Sequence, residues 1–207
     1  MIDCGFDWTN KVWKIKPNAI VLTHAHPDHA WGLKEGAPCP VYATRTTWKL
    51  IKNYLIPTDK RKIIYLSKPN KIFNMEFHAF RNEHSLIAPA VSYKITAGKA
   101  TIFYAGDVLY IPHTQRALKG SQLYIGDGKT ITQSLVRKKA NKIYGHATIG
   151  TQLTWCKKAN IPWALFTHCG SQIVESDGRT IAAEIRKLGK NKSIKAEIAY
   201  DGKVIIL

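Results

Sequence analysis

"VLTHAHPDHAWGL", Val21–Leu33, places three histidines and one aspartate within six residues, directly after an apolar run. A short apolar run bounded by polar residues reads as a buried strand. In extended backbone, alternate side chains share a face, so His24 and His26 point to the same side. Pro27 starts a turn that carries Asp28 and His29 round. One loop thereby offers two nitrogens to one metal ion, and a carboxylate plus a nitrogen to a second. Imidazole together with carboxylate suits zinc, with iron and manganese as alternatives.

Such a loop leaves both ions short of ligands. Further donors fall just past other strand-like runs: Asp107 after "TIFYAG", Asp127 after "LYIG", His146 after "KIYG" and His168 after "ALFT". His84 stands alone in "RNEHS". Ligands of open α/β sheets gather outside strand ends, where loops converge. The expected arrangement puts His24, His26 and His84 on one ion and Asp28, His29 and His168 on the other, with Asp107 shared. Each ligating imidazole needs a partner for its second nitrogen, and Asp3 in "IDCG" is a candidate.

Strands are expected at 19–23, 62–66, 77–81, 91–96, 101–105, 123–125, 164–167, 194–199 and 204–207, and helices at 44–53, 149–159 and 180–188. Their alternation in the second half favours a layered α/β architecture. The 207 residues, 45% of them hydrophobic, read as one domain spanning 1–207. No apolar run approaches the roughly 18 residues of a membrane span. The opening "MIDCGFDWTN" lacks the basic and apolar regions of a signal peptide. Cys4, Cys39, Cys156 and Cys169 show no paired spacing, which argues for free thiols in a reducing, cytoplasmic setting and against a zinc finger.

The net charge is +17, from 31 Lys plus Arg against 14 Asp plus Glu. Thermophilic chains add Lys and Glu together, so the one-sided excess reads either as a solvated lysine surface or, more sharply, as a match for a polyanionic partner. "KLIKN", "TDKRK", "LVRKKANK", "CKKAN" and "IRKLGKNK" carry much of the excess. Arg137, Lys138, Lys139 and Lys142 are the candidate nucleic-acid contacts. Trp48, Tyr54, Tyr65, Trp155 and Trp163 are interleaved as possible stacking platforms or as core.

"HAHPDH", an isolated His, "GD" and "TH", preceded by "DCG", resemble the metallo-β-lactamase-fold hydrolase superfamily. The motifs run from Asp3 to His168. The resemblance implies a four-layer αββα sandwich with a dimetal site along one edge, here with a shortened N-terminal sheet. It makes Asp3 the structural aspartate of the first loop and allows a homodimer. "YIGDG" followed by "YGHAT" is similar to the tRNase Z and cyclic-phosphate phosphodiesterase branch. That similarity assigns Asp127 to orient His146, and His146 to the substrate phosphate or leaving oxygen. The tail "AEIAYDGKVIIL" resembles a C-terminal strand of the same branch. The inserted arm of tRNase Z has little room in the nineteen residues between Asp107 and Asp127.

The expected function is therefore a dinuclear hydrolase, a phosphodiesterase or nuclease, with Asp28, Asp127 and His146 as catalytic candidates. Its nucleophile is a water whose pKa the ions lower to about 7. A thioesterase, lactonase or β-lactam hydrolase is the alternative of like chemistry, and a weakly catalytic nucleic-acid-binding module the alternative of another class. His78 and His113 have no place in the motif set and read as structural. Cys169 reads as packing.

Overall fold

The computed structural model describes residues 1–207. Strands β1 (Ile20–Val21), β2 (Val41–Thr44) and β3 (Arg61–Ile64) form a parallel three-stranded sheet, to which Ile2 adds a bridge at Val21. A second sheet has seven strands. In spatial order they are β12 (Lys195–Ile198), β11 (Trp163–Thr167), β8 (Leu123–Asp127), β7 (Ala100–Tyr104), β6 (Ala90–Ala97), β5 (Met75–Asn82) and β4 (Asn70–Ile72). The first four run parallel and the rest antiparallel.

The run "AIVL" shows why the sheets stack. Ile20 and Leu22 enter a buried cluster with Val12, Trp48 and Ile51, from the helices α1 (Lys11–Ile15) and α3 (Arg45–Leu50) and the residue after α3. Ala19 and Val21, on the other face, meet Phe77, Val91, Tyr93 and Ile95 of the large sheet. A strand apolar on both faces is a strand buried on both faces. Beyond the large sheet, Phe103, Tyr124, Ala164 and Phe166 pack on α4 (Thr114–Leu118), α5 (Ile149–Lys158) and α7 (Gly178–Lys190). The result is the expected helix–sheet–sheet–helix order. The sheets are unequal, three strands against seven.

The longer helices start at caps visible in the sequence. Thr44, Thr148 and Asp177 each accept a hydrogen bond from a backbone N–H in the first turn. One expectation needs correction. The segment 204–207 forms no strand, and Val204 and Ile206 are more than four-fifths exposed. Its apolar side chains face no sheet, so hydrophobicity alone is a false strand signal here. Around Arg137, where the sequence pattern assigns no element, the chain forms a hairpin of β9 (Leu135–Lys139) and β10 (Lys142–His146). Ala140 and Asn141 close it with φ of 46° and 62°, both left-handed.

Trp48 is buried, and its indole N–H donates to the Lys62 carbonyl. Tyr54 and Trp155 pack against the helix-facing clusters. All three serve the core rather than a stacking surface. The four cysteines are free thiols. No helix is long and apolar enough to cross a membrane.

Candidate metal centre

Each predicted donor stands at or just past a strand end, or on a short turn of helix. His24 follows β1. His26 caps α2 (Pro27–Ala30), which carries Asp28 and His29. The expected turn at Pro27 is thus one turn of helix, because proline at the first helical position lacks only a hydrogen bond the helix never makes. His84 follows β5, Asp107 follows β7, Asp127 ends β8, His146 ends β10, and His168 follows β11.

The ligand atoms of His24, His26, His84 and Asp107 lie within 4.8 Å of one another, as do those of Asp28, His29, Asp107 and His168. Asp107 belongs to both groups. Asp127, His146 and His168 form a third group of the same tightness. His78 pairs with Glu76 on the surface at 2.7 Å, and His113 precedes α4; neither joins the cluster. Cys169 packs against the core.

Hydrogen bonds set the histidine tautomers. Thr23 Oγ1 donates to Asp3 Oδ2 (2.8 Å), so it accepts from His24 Nδ1 (2.9 Å) and leaves the His24 Nε2 lone pair free. His84 Nδ1 donates to the Gly145 carbonyl at 3.0 Å, which frees its Nε2. Both free nitrogens face His26 Nδ1, at 3.0 and 3.3 Å. One proton on His26 cannot serve two lone pairs, whereas one cation serves all three. His29 Nδ1 donates to Asp3 Oδ2 at 2.8 Å, leaving Nε2 at 3.1 Å from Asp107 Oδ1. Those two atoms are buried and face each other without a well-aligned hydrogen bond. Buried polar atoms seldom remain so unless a partner such as an ion completes them. The donor set therefore fits two divalent ions.

Asp3 steadies the loop as expected. Its other oxygen accepts from the Thr23 backbone N–H at 2.7 Å. Asp3 has φ of 57°, and His168 has φ of 53°. Left-handed backbone in residues other than glycine is uncommon and clusters at functional sites. Gly5 completes the support, because a Cβ there would collide with the Asp28 carbonyl.

Burial pushes His24, His26 and His84 below the ordinary imidazole range, so they present lone pairs. Burial acts the same way on His29, but contacts with Asp107 and Asp3 outweigh it and hold that imidazole up at about 11. His168 is likewise opposed by burial yet raised to about 9 by Asp127 and Asp28. His168 holds the Asp28 carboxyl below its usual range. Burial opposes ionisation of Asp107 and Asp127, and the facing imidazoles keep both low nonetheless.

Two contributors escaped the sequence reading. Gln152, fully buried on α5, accepts from the Asp127 N–H (2.9 Å) and donates to the Asp127 carbonyl (2.7 Å). Ser85 Oγ lies 3.2 Å from His26 Nε2. Neither has a sequence signal, since a helix glutamine and a loop serine read as solvent-facing.

A family profile described as "Beta-lactamase superfamily domain" matches residues 1–169. The chain belongs to that family. No curated protein matches it in sequence. The fold is similar to that of the metallo-beta-lactamase fold protein YhfI from Bacillus subtilis, at 18% identity and TM-score 0.74, over 98% of this chain and 84% of that one. It is similar to a diphosphatase of the PhnP family, at 17% identity and TM-score 0.69, over 98% and 77% of the two chains. It is also similar to the short form of human tRNase Z, at 17% identity and TM-score 0.66, over 99% and 86%. The chain is a metal-dependent hydrolase of the metallo-β-lactamase fold.

Proposed function

We propose that the protein is a dinuclear phosphodiesterase, with zinc as its metal, acting on nucleic-acid or nucleotide phosphodiesters. The observation that carries this reading is a cavity of about 690 Å³ beside the metal centre. His26, His84 and His146 line it together with Arg137, Lys139 and Lys142. Histidines competent for catalysis and three cations suited to phosphate oxygens thus share one space. Lys138, on the alternate face of the hairpin, does not line it.

Two divalent ions in the paired donor groups would lower the pKa of a water and stabilise charge on the phosphoryl oxygens. The side chains do the rest. Asp28, with its side chain 60% exposed at the mouth of the centre, accepts a proton from the attacking water. The water oxygen forms a bond to phosphorus and the bond to the leaving oxygen breaks. His146 delivers the proton that this oxygen needs, giving a phosphomonoester and an alcohol. Asp127, 2.7 Å from His146 Nδ1, is a positioning residue: it fixes the tautomer so that Nε2 serves the substrate.

Leu86, Ile87 and Leu135 in the same lining favour some carbonyl-ester hydrolysis as a side activity. The complete donor set speaks against a binding module without catalysis. The test is metal analysis joined to a substrate panel of RNA, single- and double-stranded DNA, bis-p-nitrophenyl phosphate, a lactone and a cephalosporin. Two metal equivalents and a preference for diesters are expected. Full activity in metal-free protein, or a clear preference for the lactone or cephalosporin, overturns the reading.

A further inference from the structure

The β9–β10 hairpin narrows the choice of diester; this step rests on the phosphodiesterase reading. Its register pairs Leu135 with His146, Arg137 with Tyr144, and Lys139 with Lys142. Side chains alternate along a strand, so these three pairs share one face, and all six residues line the cavity. The face is a ladder. It begins at His146 beside the donor cluster and ends at the hairpin tip. Successive rungs lie about 7 Å apart, two residues of strand.

The outer rung is unfavourable on its own. Like charges directly opposite on an antiparallel pair repel. No carboxylate relieves Lys139 or Lys142: the lysine ion pairs of the molecule are those of Lys195 and Lys203, both with Glu197. Anionic groups laid along the ladder would offset the repulsion. The middle rung sets a guanidinium beside the half-buried ring of Tyr144. The same cavity is also lined by Leu86 and by Ile87, which is 78% exposed. Cations for phosphates and apolar surface for base faces therefore occupy one groove, with buried His84 among its lining residues. An unpaired strand offers both its backbone and its base faces to such a groove. A duplex turns its bases inward and leaves Leu86 and Ile87 without a partner.

We propose that this hairpin face is a track for an extended single-stranded phosphodiester chain. The scissile phosphate lies at His146, the next phosphate at Arg137, and the one after it across Lys139 and Lys142.

The test measures kcat/KM for oligouridylates and oligothymidylates from dinucleotide to octanucleotide, beside bis-p-nitrophenyl phosphate and a blunt duplex. In the metal-loaded wild type, kcat/KM should rise about tenfold or more as the first phosphates are added, and then level off, because the ladder has few contacts. The logarithm of kcat/KM for the longer strands should fall against the logarithm of salt with a slope of about −2, as for three contacts to a single strand. Arg137→Gln/Lys139→Gln/Lys142→Gln should lose most of the length gain and flatten the salt slope. Lys138→Gln should keep both. Thermal melting checks that the triple variant folds, and Lys139→Gln alone supplies a milder version. Turnover of the small diester without any length gain, or equal cleavage of duplex and single strand, overturns the track alone. Absence of turnover on every diester overturns the reading beneath it.

Discussion

His146 Nδ1 lies 2.7 Å from Asp127 Oδ2, and the aspartate is fully buried. A buried carboxylate bonded to an imidazole fixes both its tautomer and its direction. Asp127 does more than hold His146, however. Its Oδ2 also accepts from the Val108 N–H at 3.0 Å, and its Oδ1 from the Lys129 N–H at 2.9 Å.

His146→Ala should therefore lower kcat/KM on a phosphodiester by about 10²–10⁴-fold, the usual loss for a positioned acid. Lactone hydrolysis should fall far less, and metal content should hold. Asp127→Asn should add a stability loss on the order of 1–3 kcal/mol, because its amide turns a donor toward backbone donors. Kinetics on both substrates, metal content and melting temperature decide the matter. Loss of metal in His146→Ala would make that residue a ligand.

Metal uptake should release protons. In the metal-free protein His29 is held up at about 11 and His168 at about 9, against an ordinary value of 6.5. Both are charged at neutral pH, and an ion can bind His29 Nε2 only after a proton leaves. Affinity should thus tighten as pH rises from 6 to 8. The metal-free fold has the opposite dependence: the charged form of His29 contributes stability fully present below about 6.5 and lost as pH climbs toward about 11. Calorimetric titration in two buffers of unlike ionisation enthalpy measures the release, and its absence would falsify the assignment of His29.

Asp3→Ala should weaken metal binding about 10–100-fold, the range found for partners of ligating histidines. It removes the acceptor of His29 Nδ1 and both anchors of Thr23. Competition with a chromogenic chelator gives the affinity. Wild-type affinity in the variant would show that the loop holds its shape without Asp3.

Gly145→Ala should lower diester turnover and melting temperature together. Gly145 has φ of 125°, and a Cβ there would strike the Leu135 carbonyl across the hairpin. Its own carbonyl also takes the His84 Nδ1 proton. A variant with wild-type turnover would mean that hairpin placement does not govern the site.

The centre was legible because its chemistry is dense. Four donors in six residues, then single donors past strand ends, leave few other roles for His84, Asp107 and His168. The buried strands were legible where apolar runs were continuous. The hairpin was hidden because "LVRKK" shows no apolar alternation, and because Ala140 stands where a turn of this hand favours glycine or asparagine. Gln152 was hidden because burial of a helix amide depends on Asp127 and Ala147 carbonyls that only the folded chain brings near.

The donors also fall on both sides of the sandwich. His24, His26 and His29 hang from the three-stranded sheet, while His84, Asp107 and His168 hang from the seven-stranded one. Between the sheets lie nine buried apolar residues and a few polar ties, among them the Tyr93 hydroxyl donating to the Leu22 carbonyl. An ion bound in either group is then a rivet between the two halves as well as a reagent. Chelation would loosen the seam from its catalytic rim inward, and a nascent chain could close that rim only after His168 had emerged.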